Sequence, residues 1–486
     1  MQPASDKPHT IHPVDQVLPV WKLGFYGLQH VLTFYAAAVI VPVLLAGAMG
    51  LPRAALEHLI EADLFTCGIA SFIQSAGLGR YIGVKLPLLQ GVTFVAVTPM
   101  IAIGVAAGGG VQGLPQIFGA VIAGGVFTFL AAPWFGRLVK FFPPVVTGSV
   151  ILVIGLALLP VAANDIVNGH GTGVMQNPVN MRNVAYGLGT LVCILFIQRM
   201  FKGFVASIAV LFGLVAGTLT AWFLGDASFS GVLSAPWVTV AQPFYFGMPT
   251  FHVVPVLSML VVMIITMLET TGDVFATGSI VKKNITSEDI TRAIRADGLA
   301  TMIGGVLNSF PYTCIAENVG LVRLTRVTSR WVVVAAAFIM MGLGCLPKLA
   351  AIIASVPLPV LGGAALAMFA AVAVVGIQTL VKVDFDNLNN TVIVGTSIGL
   401  SMLATAQPHI ADHFPAWMQV IFGSGITLGA MSAILLHLVF NFGNLCSTQQ
   451  PVEQDAVILE TPVWNVVSTQ GQSPVVGGQT GHTQPE

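Results

Sequence analysis

Two acidic residues lie four positions apart inside a long apolar run of the sequence, in the stretch TMLETTGD. Glu269 and Asp273 share one face of the helix that such a run predicts, because positions i and i+4 are neighbours on a helix. Two acids on one face repel each other, which favours a proton on one of them. A carboxyl group that takes up and releases a proton is what a proton-coupled carrier requires. In the alternative interpretation, Asp273 is a structural partner for an N–H group of another helix.

A third acidic residue lies in the short apolar segment PYTCIAENVG, where Glu317 is followed by Asn318. Charged side chains inside membrane segments are costly and usually functional. The apolar runs contain no Lys or Arg that could pair with Glu269 or Glu317, so each carboxyl group needs a proton or a ligand. The alternative is that both are buried in purely structural pairings. Thr93, in another apolar run, adds a hydroxyl group.

Two more polar positions occur where a membrane segment is predicted. Gln29 and His30 lie about a third of the way into the first apolar run, where His30 either orders a site or is a core histidine bonded to a neighbouring helix. Asp297 follows a basic loop, at the predicted beginning of the ninth segment. Three interpretations are open for Asp297: it has a functional role inside the membrane, it caps the ninth helix, or it forms an ion pair with Arg292 or Arg295.

The elements that carry these residues are membrane helices. The chain has 486 residues, of which 55% are hydrophobic and 8% charged, whereas soluble domains carry about 25% charged residues. The apolar runs between residues 23 and 442 are continuous, and they are longer than the alternating strands of about ten residues that build membrane barrels. The sequence therefore predicts an all-α polytopic membrane protein. The five cysteines show no paired spacing, so neither a metal nor another cofactor is predicted.

The positive charges predict the topology. Of the 19 Lys and Arg residues, all but Arg53, Arg182 and Lys348 fall on one side when the loops alternate across the membrane. The intervals between the clusters then hold fourteen segments, with both termini on the clustered side, which the positive-inside rule identifies as the cytoplasm. Arg323 and Arg330 are interpreted as cytoplasmic anchors. The predicted segments are 23–48, 58–79, 86–104, 116–136, 141–163, 184–198, 204–224, 251–281, 297–310, 311–322, 331–347, 357–380, 391–406 and 414–442.

An internal repeat divides these segments into two halves. The stretches PPVVTG at 143–148 and PLPVLGG at 357–363 match when Pro144 is laid on Pro359, and each opens an apolar helix. The fifth segment then corresponds to the twelfth, and an odd number of segments per half inverts the second half relative to the first. Inverted repeats are typical of secondary transporters, whose substrate site lies near mid-membrane between discontinuous helices.

The third and tenth segments are the candidates for discontinuity. Pro87, Gly91 and Pro99 interrupt the third segment around Phe94, and the short tenth segment begins with Pro311. A short strand that leads into a half-helix leaves unpaired N–H groups at the helix N-terminus. Such groups suit a planar ligand with ring carbonyl groups. In the alternative interpretation, the prolines only kink two packed helices.

The run from Glu317 and Asn318 through Gly320 to Thr325 and Arg326 resembles the signature of the nucleobase–ascorbate transporters. Thr325 and Arg326 are further interpreted as closing the cytoplasmic mouth. The stretches GLQHVLTFYAAAVIVP and VTFVAVTPMIAIG look most like the bacterial purine branch, which carries xanthine and uric acid.

Three more positions agree with this family in order and spacing. Gln29-His30 resembles its Gln-His motif, Glu269 lies where the family has an essential substrate-binding Glu, and Asp297 resembles its Asp at the start of segment nine. The resemblance implies roles in proton coupling and in the geometry of the site for Gln29, His30, Asp273 and Asp297.

The resemblance implies two inverted repeats of seven segments, divided into a core domain of segments 1–4 and 8–11 and a gate domain of segments 5–7 and 12–14. It also implies a homodimer formed through the gate domain, proton symport without another cofactor, a nucleobase substrate but no nucleic acid partner, and the bacterial cytoplasmic (inner) membrane. The predicted divisions are a cytoplasmic tail at 1–22, core parts at 23–136 and 251–347, gate parts at 141–224 and 357–442, and a disordered cytoplasmic tail at 443–486.

The implied site holds a base between the half-helices of segments three and ten. Glu269 and Glu317 would accept hydrogen bonds from ring N–H groups, while Phe94, beside Thr93, would stack on the ring. Backbone amides near Phe94 and Glu317 would bind the ring carbonyl groups, and Asn318 would hold the geometry together with His30.

One position departs from the purine branch, which usually has Gln where this chain has Glu317. An ionised carboxylate only accepts hydrogen bonds, whereas Gln also donates. Glu317 is typical of uracil carriers, so a uracil:proton symporter is the first alternative to a purine symporter. An anion exchanger on the same inverted fold is the second, although two acids occupy the place where an anion would require Lys or Arg. The sequence has no H-E-x-x-H, G-x-S-x-G or phosphate-binding loop, so an enzyme is not predicted.

Overall fold

The structure, a computed structural model, describes residues 12–138, 143–168 and 180–445. Predictions for the remaining residues lie outside this range. They include the first eleven positions of the N-terminal tail and, from residue 446 onward, the predicted disorder of the C-terminal tail.

The first half of the chain consists of long apolar helices interrupted by one short strand. Leu51 and Pro52 separate the first two helices, and the strand follows a loop that contains Pro87. The elements are α1 (Val20–Met49), α2 (Arg53–Ala76), β1 (Gln90–Val92), a 3₁₀ turn (Phe94–Ala96), α3 (Val97–Ala106), α4 (Leu114–Leu138), α5 (Pro144–Asn168), α6 (Met181–Met200), α7 (Phe204–Ser207), α8 (Ala209–Phe223) and α9 (Ser230–Ser234).

The second half repeats this order of two long helices, a strand and a short helix. Its strand follows Pro311, just as β1 follows Pro87. The elements are α10 (Val253–Val281), α11 (Ser287–Val306), β2 (Tyr312–Cys314), α12 (Ala316–Thr325), α13 (Arg330–Gly344), α14 (Pro347–Ile353), α15 (Leu358–Leu380), α16 (Leu388–Ala406), α17 (Ala416–Phe422) and α18 (Gly425–Leu445).

The two strands pair with each other and join the halves of the repeat. They run antiparallel, with Gln90 opposite Cys314, Gly91 opposite Thr313 and Val92 opposite Tyr312, and all six residues are buried. Gly91 has no room for a side chain, because an added Cβ would lie 2.3 Å from the Phe34 ring of α1. The strand pair is therefore enclosed by helices, as backbone that is not helical must be at membrane depth.

Small residues allow equivalent helices of the two halves to approach closely. An added Cβ on Gly155 of α5 would lie 2.4 Å from the backbone nitrogen of Ala373 in α15. In the reverse direction, a Cβ on Gly376 of α15 would lie 2.4 Å from the nitrogen of Leu152. Close backbone approach at glycine is a common means of packing helices in membranes, where the hydrophobic effect does not drive helix association.

The described residues contain six helices that are long and apolar enough to cross a membrane, and seven if α13 and α14, bent by 84°, count as one span. The chain is therefore a membrane protein with several helical spans. The six helices are Val20–Met49, Val111–Arg137 (which takes in the turn before α4), Pro144–Val167, Met181–Met200, Val253–Val281 and Leu358–Leu380.

The largest error in the predicted bounds concerns α11, which begins at Ser287 and not at residue 297. A capping box forms its N-terminus: the Thr286 hydroxyl accepts a hydrogen bond from Asp289 N, and the Asp289 carboxylate accepts one from Thr286 N. The first turns of α11 are charged, so hydropathy alone did not detect them. Asp297 consequently lies in the middle of the helix.

Smaller errors occur at other ends. Segment 204–224 is divided into α7 and α8, and segment 414–442 is divided into α17 and α18. The N-terminal tail predicted for 1–22 gives way to α1 at Val20, and α18 continues through Leu445, past the predicted start of the tail at residue 443. Helix ends extend beyond the hydrocarbon layer, so hydropathy does not define them.

Arg330 does more than anchor a helix end. Its Nε donates to the Asp15 carboxylate at 2.7 Å, and its Nη1 donates to the carbonyl oxygens of Ser75 and Ala76 at 3.0 Å. These carbonyls belong to the last turn of α2, where backbone acceptors lack helical partners. Arg330 therefore joins the N-terminal segment, α2 and α13.

We expect Arg330→Gln to lower the stability of the purified protein by about 1–3 kcal/mol, because charge-assisted bonds to buried carbonyls are lost. The measurement is the thermal unfolding midpoint in detergent. The control is Arg323→Gln, since Arg323 is exposed and forms no ion pair or hydrogen bond within the described part of the chain. Equal midpoints for both variants would contradict the assigned role of Arg330.

Candidate functional site

The site is built where the two strands lead into short helices. After β1, the Thr93 N–H donates to the carbonyl of Pro311 at 3.0 Å, and the Thr93 hydroxyl accepts from Val95 N at the following 3₁₀ turn. After β2, the Ile315 N–H donates to the carbonyl of Leu89 at 3.1 Å, and α12 begins at Ala316. The strand pairing therefore brings the beginnings of two helices together in the interior of the protein.

Glu269 lies in the middle of α10 and faces this junction. The Thr93 hydroxyl donates to Glu269 Oε2 at 3.2 Å, and Thr313 of β2 also interacts with the same carboxyl group. Residues of both strand segments thus contact one carboxylate. The structure brings Glu269 and Thr93 together although they are far apart in the sequence.

Glu317 lies in the first turn of α12, where its negative charge is favourable because the positive end of the helix dipole is nearby. The charge of Glu317 acts on Glu269, and the charges of Glu269, Glu317 and Asp297 act on Asp273. Four acidic side chains therefore form one electrostatic cluster, and no ion pair within the described ranges neutralises any of them.

Asn318 connects α12 to α1 and to the loop before β1. Its Nδ2 donates to the carbonyl of Pro87 at 2.9 Å, just before β1. Its Oδ1 accepts a hydrogen bond from Nδ1 of His30 in α1. His30 and Asn318 are both buried. Each partner is thus fixed by the other, so the position of His30 depends on α12 as well as on α1.

The neighbouring Gln29 is not part of this connection. Its side chain is buried, and its Oε1 has no hydrogen-bond partner among the residues described. Asp273 is similar, because its Oδ2 is buried and lacks a partner within the same ranges. The sequence offered an N–H group of another helix as a structural partner of Asp273, and no such partner is found for this oxygen. Helix α10 therefore carries a buried carboxylate oxygen that accepts no described hydrogen bond.

Asp297 is fully buried and is held by three donors from different elements. Gln90 Nε2 of β1, Gln74 Nε2 of α2 and the Thr270 hydroxyl of α10 all donate to its carboxylate, the last at 2.5 Å. The prediction that Asp297 begins segment nine is therefore wrong, and so is the alternative that it caps the helix.

The other alternative, an ion pair with a nearby arginine, is also wrong. Arg292 pairs with Glu288 at 2.6 Å and with Asp289 at 3.5 Å, while Arg295 lies over the Phe129 ring. Asp297 instead lies a turn deeper, on the face of α11 that contacts the strands. Its role is therefore tied to the interior of the protein and not to its surface.

Phe94 lies at the boundary between the strand region and α15. Its side chain is 7% exposed, and its ring contacts the Phe369 ring edge to face, with centroids 5.3 Å apart. Phe369 belongs to a predicted gate segment, whereas Phe94 belongs to a predicted core segment. This pair is therefore a direct contact between the two predicted domains.

The signature run is split by the structure. Glu317 and Asn318 lie at the beginning of α12 beside the strands, whereas Gly320 is exposed, Thr325 donates its hydroxyl proton to the carbonyl of Leu321, and Arg326 caps the C-terminus with a φ of 56°. Gly320, Thr325 and Arg326 are thus not part of the cluster of acids. The closure of the cytoplasmic mouth by Thr325 and Arg326 stays a prediction.

Sequence reasoning missed several polar residues that contact the strands. They lie on α2, and the signal was a spacing of four residues along its buried face. They are Asp63, Cys67, Ser71 and Ser75, together with Gln74. Across the described ranges, no group of three or more His, Cys, Asp or Glu could hold a metal ion.

Comparison with curated proteins reveals close relatives along nearly the whole chain. It is 42% identical to "Uric acid permease PucK" of Bacillus subtilis over 89% of this chain and 97% of that protein. It is 44% identical to "Uric acid transporter UacT" of Escherichia coli over 88% of both chains. It is 40% identical to "Xanthine permease" of Bacillus subtilis over 89% and 96%.

Solved structures share the fold at low sequence identity. The transmembrane domain of the cyanobacterial bicarbonate transporter BicA superposes with a TM-score of 0.58 and 15% identity, over 86% of this chain and 99% of that one. The murine anion transporter Slc26a9 in its inward-facing state superposes with a TM-score of 0.59 and 12% identity, over 89% and 70%. The chain therefore has the inverted-repeat fold of these transporters.

A family model described as "Permease family" matches residues 22–410. This match confirms the resemblance that the motifs around His30, Glu269 and Glu317 indicated. It covers most of the chain, including both strands and all four acids of the cluster. The chain therefore belongs to this permease family, that of the nucleobase–ascorbate transporters, and is a transporter rather than an enzyme.

Proposed function

We propose that this chain imports a purine nucleobase, xanthine or uric acid, across the bacterial cytoplasmic membrane in symport with protons. The names of relatives at 40–44% identity support the substrate class. The observation that carries the proposal is the hydrogen bond between Thr93 and Glu269 at the junction of the strands. It joins the beginning of one short helix to a carboxylate, beside a second carboxylate at the beginning of another short helix.

A purine base would bind between the two helix beginnings. Glu269 and Glu317 accept hydrogen bonds from ring N–H groups, and the first N–H groups of the two helices donate to ring carbonyl groups. Phe94 stacks on the ring from the side of α15. Asn318 and His30 hold α12 and α1 in place through their mutual hydrogen bond.

Proton coupling is supported by the uncompensated acids. Carboxylates at membrane depth are stable only when they are protonated, paired or bound to a ligand, and no described ion pair involves Glu269, Asp273, Asp297 or Glu317. In this proposal Glu269 takes up the proton that accompanies the base. Asp273, one turn away with an unpartnered oxygen, shares this task, and Asp297 holds the strands against α10.

The full topology is also part of the proposal. The structure's α3 and α12, of 10 residues each, are shorter than the ~20 residues needed to cross a membrane. We therefore count them, with their strands, as the broken third and tenth of fourteen segments. Core segments 1–4 and 8–11 would move against gate segments 5–7 and 12–14, with a homodimer formed through the gate and both termini in the cytoplasm.

The test of function is uptake of radiolabelled xanthine into cells that express the chain, with and without an uncoupler. Unlabelled uric acid, uracil, guanine and hypoxanthine compete in parallel. We expect saturable xanthine uptake that the uncoupler abolishes and that uric acid inhibits. Uptake that is insensitive to the uncoupler would exclude proton symport, and competition by uracil alone would establish the uracil alternative.

A uracil:proton symporter is the second candidate, and Glu317 is the observation that favours it. Its carboxylate accepts but cannot donate, so it selects a ring edge with N–H donors, which xanthine and uracil both present. Uric acid is an anion at neutral pH and requires protonation of the site acids for binding. An anion exchanger is disfavoured, because four acids surround the junction.

We expect Glu317→Gln to improve competition by uric acid about fivefold relative to uracil, because removing a negative charge relieves repulsion of an anionic base. A fivefold change in relative affinity corresponds to roughly 1 kcal/mol of binding free energy. The measurement is the inhibition constant of each base against xanthine uptake. Glu288→Gln, on the exposed start of α11, is the control and should leave the ratio unchanged. An unaltered ratio in Glu317→Gln would place this side chain away from the base.

A further inference from the structure

Helix α2 presents a polar stripe to the strand pair. Its members are spaced by four residues along a buried face of the helix, and they are Asp63, Cys67, Ser71 and Ser75. The Ser71 hydroxyl accepts from Gln90 N of β1 at 2.9 Å, and the Ser75 hydroxyl donates to the carbonyl of Leu88 at 2.9 Å. The C-terminal part of the stripe therefore holds β1.

The N-terminal end of the stripe holds β2 through Asp63. Its Oδ1 accepts from the hydroxyl of Tyr312 at 2.8 Å and from that of Ser309 at 3.1 Å, and the Cys67 thiol is 3.6 Å away. The hydroxyl oxygens of Ser309 and Tyr312 lie 2.7 Å apart, and the Tyr312 hydroxyl is also 3.2 Å from the backbone carbonyl oxygen of Asp63. All these side chains are buried, and the other carboxylate oxygen of Asp63, Oδ2, has no partner in the described part of the chain.

Tyr312 is the residue through which Asp63 acts on the site. It pairs with Val92, the residue before Thr93, and the neighbouring Pro311 accepts the hydrogen bond of Thr93 N. The Tyr312 N–H donates to the Thr301 hydroxyl of α11 at 3.0 Å, so Tyr312 reaches α2 through its ring and not through its backbone. A shift of Tyr312 would therefore displace Thr93 and the beginning of the first short helix.

We propose that Asp63 is a positioning residue of the substrate site, which it acts on through the Tyr312 hydroxyl and not by contact with the base. The inference rests on the proposed function. The Asp63 carboxylate acts through one oxygen, because Oδ1 receives all of its described hydrogen bonds and Oδ2 receives none. Asparagine at this position retains such an oxygen, whereas leucine, of similar size, does not.

The experiment measures KM and maximal rate of radiolabelled xanthine uptake for variants present in equal amounts in the membrane. We expect Asp63→Leu and Tyr312→Phe each to raise KM about tenfold with a smaller effect on maximal rate, since a displaced binding surface weakens substrate binding first. Asp63→Asn should stay within about threefold of the wild type. The double variant Asp63→Leu/Tyr312→Phe should raise KM by less than the product of the two single effects, because both changes remove the hydrogen bond between the Tyr312 hydroxyl and Asp63 Oδ1.

The matched control is Thr66→Val, a buried change on the same helix. The Thr66 hydroxyl donates to the carbonyl of Ala62 within α2, so its loss should leave KM unchanged. If Asp63→Leu does not reach the membrane, Tyr312→Phe decides the question. An unchanged KM in both Asp63→Leu and Tyr312→Phe, or a KM for Asp63→Asn as high as that for Asp63→Leu, would overturn the inference while wild-type uptake upholds the proposed function. A wild type without xanthine or uric acid uptake would overturn both.

Discussion

Glu269→Gln is expected to reduce xanthine uptake to the background of cells without the chain, at an unchanged amount of protein in the membrane. The amide cannot take up a proton. Its NH₂ group is a donor, so it would meet the same donors from which the carboxylate accepts hydrogen bonds, namely the Thr93 hydroxyl and the proposed ring N–H groups. Loss of a hydrogen bond to a charged group is worth about 1.5–3 kcal/mol, which alone is roughly a 10- to 150-fold loss of affinity. Loss of proton coupling adds to this. Uptake of labelled xanthine and an immunoblot of membranes measure both quantities.

Glu288→Gln serves as the control, because Glu288 forms an exposed i,i+4 pair with Arg292. Such pairs contribute about 0.3–0.5 kcal/mol, so uptake should equal that of the wild type. If Glu269→Gln accumulates xanthine in an uncoupler-sensitive manner at half the wild-type rate or more, then Glu269 is neither the proton carrier nor a binding group for the base.

Asp297→Asn is expected to abolish transport and to lower the thermal midpoint of the purified protein. The Asp297 carboxylate accepts from three donors in β1, α2 and α10. Asparagine replaces one acceptor oxygen with a donor, so two buried donors would face each other at a cost of about 1–3 kcal/mol. The hydrogen bond that attaches Gln90 of β1 to α11 would then be weakened. Uptake and thermal unfolding in detergent measure the two effects.

A companion change separates attachment from charge. Thr270→Val removes one donor and leaves the two glutamines on the carboxylate, so we expect a partial loss of uptake with a smaller drop in the midpoint. A complete loss of uptake in Asp297→Asn with an unchanged midpoint would contradict the attachment role and indicate that Asp297 itself takes part in coupling.

Parts of the site were predictable from the sequence because they depend on local rules. An acid in a long apolar run, as at Glu269, and a Pro-interrupted segment, as around Gly91, are both conspicuous. The prediction that a strand precedes each short helix agrees with β1 and β2 in the structure. The residues that hold the strands were harder to recognise, because their partners lie in other elements. Gln90 reaches Asp297, and Asp63 reaches Tyr312, only after the two halves have packed.

The errors in the fold have a common physical origin. Hydropathy detects the hydrocarbon layer, whereas a helix ends where its caps and turns require. The capping box at Thr286 extends α11 by ten residues of mostly polar sequence, and this moves Asp297 from a surface turn to the interior. At the other extreme, the long apolar helices α10 and α15 begin and end within two residues of the predicted bounds, because each helix ends where its apolar run ends.

The pairing of β1 with β2 has a consequence for how the protein is made. One strand is synthesised early and the other only after more than half of the chain has left the ribosome. Until Cys314 is in place, Gln90 and its neighbours have no partner strand, so the first half alone leaves backbone groups of β1 unpaired inside the bilayer. Two separately expressed halves would have to find each other within the membrane before the strand pair could form.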